Sequence, residues 1–367
     1  MAARTKPPFR ADHVGSLLRP DNLHDAREKW KKGELSGEKL KEIEDAAIRD
    51  AVALQESVGL KSITDGEFRR DYWHLDFMCG FDGVKFNEET YGHKFHGGIS
   101  VATTFVEGKV SNPAGGIMVD HFEFLKSVTK ETPKFSFPAP GMFHFRPGRD
   151  GISSDAYPDL GEFWSDLGKA YNDALKDFVA AGCTYLQMDD VTLCYFCDDE
   201  QRERLKARGD DPDQLLDVYI KANNAAFAGL PDNVATATHM CRGNFQSEWM
   251  AQGGYEPVAD KMFNEFDVDA FFMEFDSDRA GDFEPLRFVP KGKFVVLGLV
   301  TSKFPELEPK DELRKRIDEA TEFVPLDQLC LSPQCGFSST HHGNKLTMDE
   351  QRKKLELVVE VAEEVWG

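Results

Sequence analysis

Short apolar runs recur along the chain and alternate with longer amphipathic stretches. Eight of these runs have the length and composition of β-strands: Phe9–Ser16, Leu60–Glu67, Lys134–Gly141, Cys183–Asp190, Asn233–Cys241, Asp269–Asp276, Lys293–Val300 and Gln328–Gly336. The seventh run is apolar almost throughout, which is typical of a strand that is buried on both faces. Because most of the runs are followed by a helical stretch, the pattern predicts a parallel (β/α)8 barrel, the TIM-barrel α/β fold.

The stretches between the runs carry apolar residues three or four positions apart. In the last of them, Leu355, Val358, Val359 and Ala362 fall on one helical stripe. Helices are predicted over Gly37–Val58, Leu160–Ala181, Asp213–Ala228, Tyr255–Phe266, Lys310–Phe323 and Met348–Val365.

One segment interrupts this alternation. From about residue 79 to about residue 130 the chain is rich in Gly, Phe, Thr and Val, and Ile99–Val110 alternates apolar with polar positions. The pattern predicts an insertion after the second strand, a β-hairpin followed by a helix. It could cover the barrel mouth as a lid, contact another subunit or be a peripheral decoration. The remaining length fits one barrel, so residues 1–367 are predicted to form a single domain.

Composition narrows the class of protein. The chain has 367 residues, of which 41% are hydrophobic, and its 44 Lys and Arg residues against 65 Asp and Glu residues give a formal net charge of −21. Such an acidic surface repels nucleic acid and anionic membranes. The N-terminus has no apolar signal core, and no apolar run is long enough to span a bilayer. We therefore expect a cytoplasmic protein with no nucleic-acid or membrane partner.

The seven cysteines are an odd number in a chain without an export signal, which predicts free thiols rather than a disulfide framework. Cys194 and Cys197 have the spacing of a redox pair, but no compact thioredoxin-like unit surrounds them, so structural thiols are the favoured interpretation. Cys79, Cys183 and Cys330 lie among apolar neighbours and are predicted to be small core residues.

Two thiols, an imidazole and a carboxylate stand at the ends of predicted strands. His239 and Cys241 are two positions apart on one strand and therefore point to the same face, while Glu274 and Cys335 end two others. This mixture of nitrogen, sulfur and oxygen donors suits Zn²⁺ better than Mg²⁺ or Ca²⁺. The residues alone equally allow a satisfied core histidine and two buried thiols, because the four positions are far apart in sequence.

Other strand ends are polar as well. The first ends in Asp12-His13-Val14-Gly15-Ser16, the second in Thr64-Asp65-Gly66-Glu67-Phe68-Arg69-Arg70, and the fourth in Gln187-Met188-Asp189-Asp190. Barrel enzymes build their active sites at the carboxyl ends of the strands. We therefore expect these residues to share one site with the four candidate metal ligands.

As a set, these motifs resemble those of the cobalamin-independent methionine synthase family, in particular its short single-barrel relatives without the duplicated N-terminal half. The matching segments are His13-Val-Gly-Ser16, Asp65-Gly-Glu-Phe-Arg69, Gln187-Met-Asp189, Thr-His239-Met-Cys241, Met-Glu274-Phe and Pro-Gln-Cys335-Gly. The resemblance implies that Zn²⁺ is held by His239, Cys241, Glu274 and Cys335. It also implies that the amino-acid part of homocysteine is held by Ser16, Glu67 and Asp189, and His13 is assigned to the same substrate site. Glu274 and Asp189 are the predicted catalytic residues.

The reaction implied by the resemblance is methyl transfer to a thiol through a zinc-bound thiolate, with homocysteine becoming methionine. Glu274 is the ligand expected to loosen as the thiol arrives. The family's histidine after the seventh strand has no counterpart in Val300-Thr301-Ser302-Lys303. The methyl donor is therefore left open between methyl-folate, methylcobalamin, a corrinoid protein and a small methyl compound. Alkyl transfer to another thiol such as coenzyme M, a zinc hydrolase and a non-catalytic barrel that binds thiols or metal are the alternatives.

Overall fold

The structure, a computed structural model, describes residues 4–89, 91, 93–98, 100 and 102–367. Its strands are β1 Ser62–Ile63, β2 Asp82–Asn87, β3 Thr103–Ser111, β4 Thr132–Pro133, β5 Phe135–Pro138, β6 Tyr185–Asp189, β7 Ala235–Met240, β8 Ala270–Glu274, β9 Phe294–Val300 and β10 Leu329–Pro333. Its α-helices are α1 Asp21–Lys31, α2 Gly37–Ser57, α3 Leu75–Met78, α4 Val119–Val128, α5 Met142–Phe145, α6 Leu160–Ala180, α7 Val191–Tyr195, α8 Asp199–Ala207, α9 Pro212–Phe227, α10 Glu256–Glu265, α11 Lys310–Ala320 and α12 Met348–Trp366.

A parallel sheet of six strands forms the centre of the fold, in the order β10-β9-β8-β7-β6-β5. A separate parallel pair joins β1 to β4, which directly precedes β5 in the chain. Ala11 makes a single parallel bridge to Leu331 of β10. The structure thus confirms a parallel α/β sheet, but among the described residues no strand ladder closes it into a barrel.

The predicted first strand, Phe9–Ser16, is wrong as a strand: Ala11 makes its one described bridge, and two of its amides are bound by a nearby side chain instead of a strand partner. The Asp12 carboxylate accepts hydrogen bonds from the amides of Phe9 (3.2 Å) and His13 (2.8 Å). A side chain that binds nearby backbone donors in this way competes with a strand ladder. The predicted second strand is likewise reduced to the two residues of β1.

The helices predicted from apolar spacing are confirmed within a few residues as α2, α6, α9, α10, α11 and α12. Their starts have the expected capping residues: the Ser36 side chain accepts from an amide of α2, and Asp159 does the same for α6. Thr347 and Glu350 form a reciprocal capping box at the start of α12. In the described part of the chain, no helix combines the length and apolarity needed to cross a membrane.

The segment predicted as an insertion contains an antiparallel pair, β2 and β3, in which Val84 lies opposite Val106. Helix α4 follows this pair, and its buried face carries Phe122 and Leu125. Residues 90, 92, 99 and 101 of the segment, including the predicted alternation at Ile99, lie outside the described residues.

Strands β6, β8 and β10 are buried at every position. Polar groups placed at or just beyond the carboxyl ends of these strands are therefore removed from bulk water, and they cost free energy unless a partner binds them. This burial sets the chemistry of the site described next.

Gly298 of β9 lies where the backbone of neighbouring segments approaches too closely to leave room for a side chain. A Cβ added there would lie 2.7 Å from the Met273 carbonyl oxygen and 2.8 Å from the Gln334 Cα, both backbone atoms with little freedom to move. We expect Gly298→Ala to lower the free energy of unfolding by about 1–3 kcal/mol, measured by chemical denaturation. Gly37→Ala is the control, because its nearest contact would be 3.9 Å away and it lies in a helix; an equal loss in both variants would contradict the packing argument.

Candidate metal and substrate site

Three buried side chains converge at the carboxyl ends of β7 and β10. His239 lies near the end of β7, Cys241 follows directly after it, and Cys335 follows β10. One imidazole nitrogen and the two sulfur atoms all lie within 4.8 Å of one another. The structure thus brings together three of the four predicted metal ligands, although they are separated by up to almost a hundred residues in sequence.

The donors of this triad fit a zinc ion. Both ring nitrogens of His239 are buried without a hydrogen-bond partner, which is costly unless something else binds them. The contact with Cys335, together with burial, raises the pKa of the Cys241 thiol. The same contact and the nearby His239 keep the pKa of Cys335 well below its usual range, against the effect of burial. Two sulfurs and one imidazole are a common zinc ligand set, and three protein ligands leave a position for a substrate.

Glu274, the fourth predicted ligand, ends β8 and is completely buried. Its carboxylate accepts a hydrogen bond from the Arg242 amide (2.9 Å) and forms an ion pair with Arg279. Burial raises its pKa, but the positive charges of Lys303, Arg279 and Arg242 more than offset this, so the pKa is lowered. The carboxylate is thus ionised and bound by protein groups, and its role as a metal ligand stays a prediction.

Sequence reasoning did not foresee the role of the Arg242 side chain. Its guanidinium donates hydrogen bonds to the carbonyl oxygens of Gly253 (3.0 Å) and Ala280 (3.1 Å) and to the Tyr255 hydroxyl (3.0 Å). These bonds fix the loops around the triad, and the Arg242 backbone at the same time holds Glu274. The only signal in the sequence was its place directly after Cys241.

Three of the predicted substrate residues, Ser16, Glu67 and Asp189, line the same cavity as the triad. The Ser16 hydroxyl accepts a hydrogen bond from the Ser338 amide (3.3 Å). One Asp189 carboxylate oxygen accepts from the Gln187 amide nitrogen (2.8 Å). The candidate amino-acid site and the candidate metal site are therefore one continuous site.

Among the described residues the two carboxylates of this cavity have one ion pair between them, from Arg70 to Glu67 at 3.6 Å. Burial raises the pKa of Asp189 to about 7, and burial also raises the pKa of Glu67. One Glu67 oxygen accepts from the Ser136 hydroxyl (2.9 Å), while the other is buried without a partner. An ammonium group that entered the cavity would supply the missing hydrogen bonds and charge.

The backbone at Glu67 is held in an uncommon conformation. Its φ is 61° and that of Gly66 is 67°, in the left-handed region that residues with a side chain rarely adopt. The Arg19 guanidinium holds the turn by donating to the Glu67 carbonyl oxygen (2.7 Å). Such strain persists only where the surroundings enforce it, and here it directs a carboxylate towards the cavity.

His13, the fourth residue assigned to the substrate, is not part of the cavity wall. Its ring Nε2 lies 3.0 Å from the Ser62 carbonyl oxygen, to which a neutral imidazole donates. Burial, with the charge of Lys134, lowers the pKa of His13 to about 4, so the ring is neutral. Its contacts join the first segment of the chain to β1, and substrate contact stays only a prediction.

Several other residues of the cavity wall lie outside the motifs that carry the family resemblance. Phe95, Arg146, Tyr195 and Ser339 line it together with Trp73, which the aromatic and charged segment after the second strand had suggested. Phe95 belongs to the segment predicted as an insertion, so that segment contributes directly to the site.

The cysteines outside the triad fit the prediction of free thiols. All seven are unpaired in the structure. Cys194 and Cys197 are buried, and burial raises the pKa of Cys197 to about 12. A thiol that remains protonated near neutral pH is a poor nucleophile, which favours the structural interpretation.

Comparison with known proteins identifies the family. The family profile described as "Cobalamin-independent synthase, Catalytic domain" matches residues 151–364. The uncharacterized protein YxjH of Bacillus subtilis strain 168 is 45% identical over 98% of this chain and 96% of its own length. The chain belongs to the cobalamin-independent synthase family.

Other members of the family extend the comparison. A candidate vitamin-B12-independent methionine synthase from Listeria monocytogenes has a similar structure, with a TM-score of 0.79 and 36% identity over 99% of this chain and 100% of that one. The 5-methyltetrahydropteroyltriglutamate–homocysteine methyltransferase of Flavobacterium johnsoniae is 24% identical over 98% of this chain, which spans only 42% of that longer enzyme.

The triad can be tested by metal content. We expect Cys241→Ser and Cys335→Ser to lose stoichiometric zinc, because each removes one of three clustered donors. Zinc per chain would be measured by mass spectrometry after reconstitution and desalting. Cys79→Ser is the matched control, since Cys79 is free and lies outside the cluster. Full zinc retention by both cluster variants would contradict the assignment.

Proposed function

We propose that this protein is a zinc-dependent methyltransferase that transfers a methyl group to the sulfur of homocysteine and so forms methionine. One observation carries the proposal: the buried triad of His239, Cys241 and Cys335 shares a cavity with two carboxylates, Glu67 and Asp189. A site for a soft metal beside a site for an ammonium group suits a substrate that has both a thiol and an amino group. Membership of the family supports the same reaction class.

The zinc would be held by His239, Cys241 and Cys335, with Glu274 as the proposed fourth ligand. Bound there, zinc would supply a nucleophile, because a thiol that coordinates zinc loses its proton near neutral pH. Glu274 has Arg279 as a second partner for its carboxylate. Were the metal bound, Arg279 would keep this carboxylate paired, so Glu274 would be the ligand that could give way to a substrate thiol without leaving an unpaired buried charge.

The remaining residues would orient the amino acid. Glu67 and Asp189 accept hydrogen bonds from its ammonium group. The Ser16 hydroxyl, which accepts from the Ser338 amide, can donate its own proton to the substrate carboxylate. Holding the amino acid at several points fixes the direction of its sulfur. The loss of translational and rotational entropy then occurs on binding, so it no longer adds to the barrier of the reaction step.

For the methyl donor we propose methyl-folate, which the name of the longer relatives suggests, and keep methylcobalamin or a corrinoid protein as alternatives. The segment after β9 places a lysine, Lys303, beside the Gly243 carbonyl oxygen (3.4 Å) and the Asn244 side-chain oxygen (3.5 Å).

Another thiol, such as coenzyme M, is the second candidate for the methyl acceptor. It lacks an amino group, and so leaves Glu67 and Asp189 without a function.

We also propose that residues 1–367 form one barrel domain with an insertion at about 79–130. Hydrogen bonds from side chains of residues 62–64 to residues 12–15 support closure of the barrel between these two parts of the chain. The Ser62 hydroxyl donates to the Asp12 carboxylate (2.6 Å), and the Thr64 hydroxyl donates to the Gly15 carbonyl oxygen (2.6 Å). These bonds lie where an eight-stranded barrel would have its missing ladder.

The direct test of the proposed function is X-ray absorption at the zinc edge, with and without homocysteine. We expect two sulfur neighbours in the absence of substrate and a third when homocysteine is added. Homoserine, which has oxygen in place of sulfur, is the control ligand and should add none. A protein that binds no zinc after reconstitution, or whose zinc ignores homocysteine, would rule out this function.

The raised pKa of Asp189 predicts a pH dependence. Below about pH 7 this carboxyl gains a proton and loses its charge, so it binds an ammonium group less well. The Kd of homocysteine should therefore be flat above that pH and rise towards tenfold per pH unit below it. Calorimetric titration checks this, and Asp189→Asn should bind weakly with no such rise. Zinc content must be followed in the same samples, because a parallel loss of zinc would assign the profile to the metal ligands instead.

A further inference from the structure

One cation in the cavity wall, Arg146, has no role in binding either the proposed zinc ion or the amino-acid part of homocysteine. Arg146 directly follows α5, lines the cavity and is only 4% exposed. Among the residues that the structure describes, no carboxylate forms an ion pair with it, and its Nε has no hydrogen-bond partner. Other buried arginines are bound: Arg27 pairs with Glu44 at 3.1 Å, for example. A buried charge without a counter-ion is costly, so its retention suggests that a ligand supplies one.

The side chains of Tyr195, His74 and His93 lie near Arg146, carry no negative charge and can donate hydrogen bonds. The Tyr195 hydroxyl accepts a hydrogen bond from Arg146, and burial raises the pKa of Tyr195 to about 12, so this neutral hydroxyl keeps a proton that it can donate. His74 and His93 feel the charge of Arg146, and burial together with that charge lowers the pKa of each. Both rings are therefore neutral, each with one N–H, and both ring nitrogens of His74 and the Nδ1 of His93 lack partners.

The cavity thus contains both kinds of charge without an ion pair between them. Glu67 and Asp189 line it with Arg70 as their one ion-pair partner, and among the described residues no ion pair joins either carboxylate to Arg146. On the proposed function, the two carboxylates bind the ammonium group of homocysteine, and the hydroxyl of Ser16 donates a hydrogen bond to its carboxylate. The charge of Arg146 then remains for the second reactant, the methyl donor.

We propose that Arg146 binds an oxyanion carried by the methyl donor, meaning a carboxylate, sulfonate or phosphate group. The planar guanidinium presents parallel N–H donors that match two oxygens of such a group, and Tyr195 can add a third donor. Trp73 and Phe95 line the same cavity and provide aromatic faces for the body of the donor. This inference rests on the proposed function for its assignment to the donor, whereas the oxyanion site itself rests only on the cavity.

The test uses methanesulfonate as the probe and dimethyl sulfone as its neutral analogue of similar size. Zinc-reconstituted full-length protein would be titrated with each by calorimetry at constant ionic strength. We expect saturable binding of methanesulfonate and none of dimethyl sulfone. Arg146→Met should weaken methanesulfonate binding at least tenfold, and Arg146→Lys should recover part of the loss because it restores the charge. Arg202→Gln controls for removal of one positive charge, since Arg202 pairs with Asp213 at 2.9 Å outside this cavity.

A second arm identifies the reactant that owns the oxyanion. If it belongs to the donor, methanesulfonate and homocysteine bind together, and Arg146→Met retains the affinity for homocysteine. Competition between the two ligands would assign the site to the acceptor and overturn the donor assignment. Absence of saturable methanesulfonate binding, or equal binding by the Arg146→Met variant, would overturn the site itself. Failure of the proposed function would appear separately, as zinc that does not respond to homocysteine.

Discussion

The buried ion pair between Lys134 and Asp12 is the contact that holds the first segment of the chain against the central sheet. Both side chains are fully buried, and their nitrogen and oxygen atoms are 3.0 Å apart. Asp12 also accepts hydrogen bonds from the Ser62 hydroxyl (2.6 Å) and the Tyr185 hydroxyl (2.9 Å). The network thus joins the first segment, β1, the residue between β4 and β5, and β6, where the described backbone forms no continuous ladder.

This network also reaches the functional site. Lys134 donates to the side-chain oxygen of Gln187 (3.1 Å), whose amide nitrogen donates to the Asp189 carboxylate (2.8 Å). A buried pair that loses one partner leaves an uncompensated charge, which typically costs about 3–5 kcal/mol. The contacts that hold the early segments together therefore also fix the orientation of a carboxylate proposed to bind substrate. Stability and function are coupled here through one chain of hydrogen bonds.

The sequence could predict the parts of this protein that follow from apolar spacing. Strands β8 and β9 are nearly continuous apolar runs, β6, β7 and β10 lie in short runs that end in polar residues, and the long helices carry regular stripes, so all were identified. The first segment was misjudged because the Asp12 side chain binds two of its amides, which spacing does not reveal. The triad was found because His239 and Cys241 share one strand face and because the motifs resemble a family. The ion pair of Glu274 with Arg279 agrees with the expectation that the polar segment Asp276-Ser-Asp278-Arg279 orients the candidate metal ligands. Arg146 was not found, since its place in the cavity depends on tertiary neighbours that no local pattern encodes.

The aromatic part of the cavity wall connects the accessory segment to the chemistry. A thiolate and a methyl donor react best where water is excluded, because charges then interact more strongly and a competing nucleophile is absent. Phe95 comes from the segment predicted as an insertion, Trp73 from the loop after β1, and Tyr195 from α7. Since they line the same cavity as the carboxylates and Arg146, they lower the local dielectric where charge recognition is needed. The accessory segment is thus part of the electrostatic design of the site, in addition to any role in covering it.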